Sequence, residues 1–130
     1  LVGRPKVRDT MIDKVTDFEW RSNCPISSAL DVLGDKWSLL IIRDLLIHGP
    51  RTYSELLASA ERISTNILAS RLNLLVCLGL IERSKPAASA RNNAFQLTES
   101  GAALLPILED LGRWAGKYLK GFHKDIILMG

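Results

Sequence analysis

Thr65, Asn66, Ala69, Ser70 and Asn73 carry short hydroxyl, amide or methyl side chains within one short segment. Such groups suit close approach to a nucleic-acid base edge. An amide can pair bidentately with adenine, and a hydroxyl can donate or accept. At about 100° per residue, Asn66, Ser70, Asn73 and Cys77 share one helical face, flanked by Ala69 and Leu74. Leu68, Leu72 and Leu75 lie opposite and form the buried face. A merely solvated helix would favour Lys and Glu on its outer side. Taken alone, the face fits solvent exposure as well as base reading.

The placement of charge bears on that choice. The chain has a net charge of +3. Residues before Glu61 balance, and so do those after Thr98. The excess sits between them, in Arg62, Arg71, Arg83, Lys85 and Arg91 against Glu61 and Glu82. A localised basic excess on a helix and the segment behind it is the electrostatic footprint of a nucleic-acid binder. Arg83, Lys85 and Arg91 flank a tip of small residues, where cations reach phosphates or the minor groove. Ser64, at the front of the helix, joins them as a backbone contact. Arg71 lies off the outward face; a phosphate and an acidic partner such as Asp44 are equally open to it.

Other chemistry finds little support. Cys24 and Cys77 are far apart and make neither a disulfide framework nor a zinc site. His48 and His123 show no ligand spacing, and neither stands with Cys24 in a nucleophile–base pattern. No nucleotide or phosphate-loop motif occurs, so neither cofactor nor metal is expected, and the chain is not expected to be an enzyme. The longest apolar runs fall short of the ~18 residues of a membrane span. No signal-peptide pattern opens the chain, and a cytoplasmic location is expected.

The elements that would position these residues follow from local signals. Pro25 suits the first turn of a short helix to Leu33, which Gly34 ends. Asp35 is an N-cap for a helix over 36–47, apolar on both sides and so central to the fold. Asp44 falls among its apolar residues and needs a partner. Gly49-Pro50 stops it. Thr52 and Glu55 form a capping-box pattern for a third helix, to about Ala60. Ser64 caps a fourth helix that ends at Gly79-Leu80. Strands over 80–85 and 92–97 make a hairpin, and Arg51-Thr52-Tyr53 can add a short third strand. Thr98 caps a last helix to about Phe122, kinked early at Pro106 unless that residue lies in the first turn. The expected fold is mainly α with a small β-hairpin: a winged helix-turn-helix that dimerises through its terminal helices.

The last helix carries Leu104, Leu108, Leu111, Ala115, Tyr118 and Phe122 at 4-3-4-3-4 spacing, widened by Trp114 and Leu119. That is a seam of the kind helices use to pair. A homodimer is expected through Leu104, Leu108, Leu111, Trp114, Ala115, Tyr118 and Phe122, with Met11, Ile12, Val15, Phe18 and Trp20 of the N-terminal arm wrapping it. Arg4, Lys6 and Arg8 read mainly as a solvated tail. The division is an arm over 1–23, a DNA-binding part over 24–100 and a dimerisation helix over 101–130.

The residues resemble the HxlR family of bacterial winged-helix regulators, within the broader MarR-like group. The resemblance is carried by Cys24-Pro25, Ala29-Leu30-Asp31, Gly34-Asp35-Lys36-Trp37 and Leu39-Leu40-Ile41-Ile42. It continues through Gly49-Pro50-Arg51, Tyr53, Glu55-Leu56, Ile63-Ser64, Arg71-Leu72 and Gly79-Leu80-Ile81, and closes with Leu97-Thr98, Pro106 and Trp114. It implies a homodimeric regulator of transcription, more often a repressor, binding double-stranded DNA at an inverted repeat. The chain departs from the pattern where Glu61-Arg62 replaces the usual Pro-Gly, and in the wing, where Ala87 to Ala94 replaces a Pro-rich tip. Arg91 is the nearest match to the family's wing cation.

Cys24 stands at a helix start, where the dipole favours a thiolate. Some members of the family use a cysteine at this place to sense oxidants or electrophiles, so the resemblance implies a small reactive effector as a partner. A buried packing role is the alternative. For the chain as a whole, the rival is a winged-helix module used only for protein contacts.

Overall fold

A computed structural model of the chain describes residues 18–84 and 93–129. Its elements are α1 (Pro25–Leu33), α2 (Ser38–His48), β1 (Arg51–Thr52), α3 (Tyr53–Leu57), α4 (Thr65–Cys77), β2 (Ile81–Arg83), β3 (Ala94–Leu97), α5 (Glu99–Ala102) and α6 (Leu105–Tyr118). This mostly helical chain with a small antiparallel sheet is the winged-helix architecture. No helix among the described residues is long and apolar enough to cross a membrane.

Local signals account for most boundaries. Pro25 opens α1. The Asp35 carboxylate accepts from Trp37 N, Ser38 N and Ser38 Oγ, so it caps α2 although regular helix begins only at Ser38. Thr52 and Glu55 complete a reciprocal capping box on α3, which ends at Leu57, short of the expected Ala60. At the end of α4, Gly79 takes φ +78 while Leu80 N donates to Leu75 O at 2.9 Å and Gly79 N to Val76 O at 3.0 Å. That 6→1 and 5→2 pair is a Schellman stop, and its left-handed residue favours glycine.

The strands order as β1-β3-β2, both pairings antiparallel, with Arg51 opposite Phe95 and Arg83 also opposite Phe95. The third strand anticipated at Arg51-Thr52 is thus present, and it anchors a hairpin too short to stand alone. Ile41, Ile42 and Leu45 of α2, Leu56 of α3, Leu68, Leu72 and Leu75 of α4, and Ile81 and Phe95 of the sheet share one core. α2 is therefore the central helix, as its two apolar sides require.

The last helix differs from expectation. It is two pieces, α5 and α6, interrupted at Ala103-Leu104, and Pro106 lies in the first turn of α6. A proline there replaces an N–H that would have no helical partner anyway, so it starts a helix instead of kinking one. α5 packs tightly on the sheet: a Cβ at Gly101 would meet Leu80 O at 2.1 Å. α6 ends at Tyr118, before the expected Phe122, and the chain turns back so that Met129 lies over Gly112 and Leu128 over Gly116.

Candidate nucleic-acid interface

The second and third helices of the motif are α3 and α4, joined by the turn over 58–64. Ser64 caps α4, its side chain accepting from Ile67 N at 3.3 Å. Tyr53, the first residue of α3, donates its hydroxyl to Thr65 O at 2.9 Å and fixes the first turn of α4 from the side. In the sequence Tyr53 stands in a candidate short strand, within the capping-box run over 52–55 and among the family residues. Its role depends on a contact across 12 positions, for which spacing gives no signal.

On α4 the buried face is as expected: Leu68, Leu72 and Leu75 are enclosed. Thr65, Asn66, Ala69 and Ser70 are exposed. Beyond them the face closes. Leu74, expected to flank the outward face, is instead buried against Phe18 in a second small core that Cys77 and Leu78 also pack against. Asn73 is half-buried and has an interaction of its own. The reason is tertiary: the segment before α1 folds over the C-terminal half of α4, with the Phe18 and Trp20 rings 4.5 Å apart. Phe18, expected on a dimer seam, is taken up within its own chain. What stays open is the N-terminal half of α4, the part that enters the major groove in helix-turn-helix complexes.

Arg71 Nη1 lies 3.6 Å from Asp35 Oδ1 and is largely covered. Asp44, the partner suggested for it, is bound instead by Arg43, whose Nε and Nη2 donate at 3.0 and 2.8 Å. Arg43 also forks onto both oxygens of Glu61, at 2.9 and 2.8 Å, and reaches Ser59 Oγ at 3.2 Å. This cluster ties α2 to the turn that feeds α4. The Arg43 hydrogen bonds hold the Glu61 carboxyl down from its ordinary 4.5 to about 2, against a smaller opposing effect of burial. Spacing could not reveal the pair, whose members are 18 residues apart.

In the wing, Arg83 is exposed and its guanidinium carbon sits 4.9 Å above the Phe95 ring. Gln96 Nε2 donates to Glu82 Oε2 at 2.8 Å across the strands. Lys85 and Arg91, with the wing tip, lie outside the described residues, as do Arg4, Lys6 and Arg8.

Two further sites complete the geometry. Cys24 is exposed just before α1, and its N–H donates to Ser22 Oγ at 3.2 Å. Arg21 pairs with the buried carboxylate of Asp31 and so pins the segment before Cys24 to α1. On α6 the anticipated seam divides. Leu104 is buried in the domain's own core and Leu108 packs against that core. Ala115 is half-buried. Leu111, Trp114 and Tyr118 are half-exposed, at 50, 52 and 56%, and Phe122 stands at 90%.

The comparison with known families decides what this arrangement is. Residues 32–122 match the model of the HxlR-like helix-turn-helix family. The chain belongs to that family. This HxlR-type chain is 32% identical over 97 residues to YvaP of Bacillus subtilis, an uncharacterized HTH-type transcriptional regulator, covering 74% of this chain and 89% of YvaP. Among solved structures it is similar to PA1607, at 38% identity and TM-score 0.65, over 75% of this chain and 67% of that one. It is also similar to quinone-bound YodB from B. subtilis, at 32% identity and TM-score 0.62, over 73% of this chain and all of that one. It is a transcriptional regulator of the helix-turn-helix type.

Proposed function

We propose that this regulator binds double-stranded DNA at an inverted repeat as a homodimer and acts as a repressor. The observation that carries the reading is the open N-terminal half of α4, held by the Ser64 cap and the Tyr53 hydroxyl while the rest of the helix is covered. Thr65, Asn66, Ala69 and Ser70 read base edges, with Asn73 at the covered limit of that face. Ser64, Arg71, Arg83, Lys85 and Arg91 hold the backbone. For Arg71 this requires exchange of Asp35 for a phosphate.

The second copy of the chain docks on Leu111, Trp114, Tyr118 and Phe122, a stripe too apolar to suit solvent. The division into an arm over 1–23, a reading unit over 24–100 and a dimerising segment over 101–130 follows from that use. Cys24 responds to a reactive electrophile: it is the exposed thiol of the pair, and the similar protein YodB has been crystallised with a quinone.

The test is a paired titration of Asn66→Ala on a preferred duplex and a scrambled one. Loss of a bidentate base contact should cost about 1–3 kcal/mol on the preferred site and little on the other. Equal loss on both would place Asn66 among the phosphate contacts. No binding of the native chain to any duplex would leave it a module for protein contacts.

A further inference from the structure

Arg62 adopts φ +62, the left-handed conformation, and is the only non-glycine among the described residues to do so. A side chain there is strained, and such strain persists where the surroundings over-determine it. They do so here. Arg62 N donates to Ser59 O at 3.1 Å, and Glu61 beside it is clamped by the Arg43 fork. Glycine would take this turn without strain.

The charges around Arg62 are unequally committed. Glu61 has its charge met by Arg43. Arg62 is exposed, with no carboxylate within ion-pair distance among the described residues. It stands two positions before the cap of α4, and three and four positions before Thr65 and Asn66 in the chain. When the front of such a helix enters the major groove, the turn before it runs along the groove's phosphate edge.

We propose that Arg62 is a DNA phosphate contact at the mouth of α4, in which an arginine occupies a glycine conformation for the sake of its charge. This rests on the DNA-binding reading above and adds a cation to it. The experiment compares Arg62→Gly, Arg62→Ala and Arg62→Lys with the native chain. Each is titrated against a duplex that the native chain selects from a random pool, and against a scrambled duplex, over a range of salt, with thermal midpoints measured alongside.

Arg62→Gly and Arg62→Ala should both bind about fivefold to tenfold more weakly on both duplexes, with the log–log salt slope reduced by about 0.9. Arg62→Lys should retain most of the affinity. Arg62→Gly should melt no lower than the native chain, since it relieves the backbone. Weaker binding by a variant of equal or higher stability separates a contact from a structural role. Unchanged affinity in both Gly and Ala variants overturns the proposal while leaving DNA binding intact. Loss in Arg62→Gly but not in Arg62→Ala overturns it too, since charge is then not the cause. A native chain that selects no duplex overturns the underlying reading, and the Arg62 contact with it.

Discussion

Arg71 of α4 and Asp35 of the α2 cap lie 3.6 Å apart, so the helix proposed to read DNA is tied to the carboxylate that starts the central helix. Asp35 also accepts from Ser38 Oγ, a fully enclosed hydroxyl. Asp35→Ala should therefore remove a cap and leave a buried hydroxyl unpaired, costing about 2–3 kcal/mol. Asp35→Asn keeps one oxygen for the Trp37 and Ser38 N–H groups and puts an amide NH2 where the other oxygen faced Ser38 Oγ and Arg71. The Ser38 hydroxyl can turn to accept from it, so the variant should cost less than Asp35→Ala, by about 1 kcal/mol. Urea unfolding of the two variants measures both. Equal losses would show that the ion pair, not the cap, is what matters.

The Arg43–Glu61 fork predicts a pH signature. The folded-state value of Glu61 is lowered from 4.5 to about 2, so its contribution is fully present above pH 4.5. It fades as pH falls toward about 2, where the folded carboxyl also takes a proton. With the Glu61 side chain 39% exposed, solvent screening limits the contribution to about 1 kcal/mol. Glu61→Gln should be less stable than the native chain by that amount at neutral pH, and the gap should close under acid. Thermal midpoints across pH 2 to 7 test it; a constant gap would mean that ionisation plays no part.

The α6 stripe predicts assembly. Leu111→Glu places a charge in the middle of the exposed apolar face and should turn a dimer into a monomer at micromolar concentration. Leu104 lies in the core, so Leu104→Ala should act mainly on stability, by about 2–5 kcal/mol. Sedimentation and unfolding together separate the two effects. A native chain that sediments as a monomer removes the dimer from the proposal.

The two thiols should differ. Cys24 is exposed, whereas Cys77 is partly covered beside Leu74 and Phe18. Cys24 should alkylate first with a maleimide. Cys24→Ser should bind DNA normally and lose any response to a quinone or an oxidant. Identical release of DNA by the native chain and Cys24→Ser would make Cys24 a bystander.

Features governed by neighbours in the chain were legible from residue types alone. The Thr52–Glu55 box, the Ser64 cap, Pro25 at a helix start and the Gly79-Leu80 stop each depend on contacts within a turn or two. So did the buried face of α4, because helical periodicity places Leu68, Leu72 and Leu75 together whatever lies beyond. The cluster of cations after Glu61 and the family motifs pointed to the winged helix. Tertiary structure decided how far each face reaches. Leu74 is covered because Phe18, distant in sequence, folds over α4. Leu104 turns inward because the chain breaks before α6. Arg43 finds Glu61 across 18 residues, and Arg71 finds Asp35 across two helices. Burial and ion pairing depend on which surfaces meet, and a one-dimensional period carries no information about that.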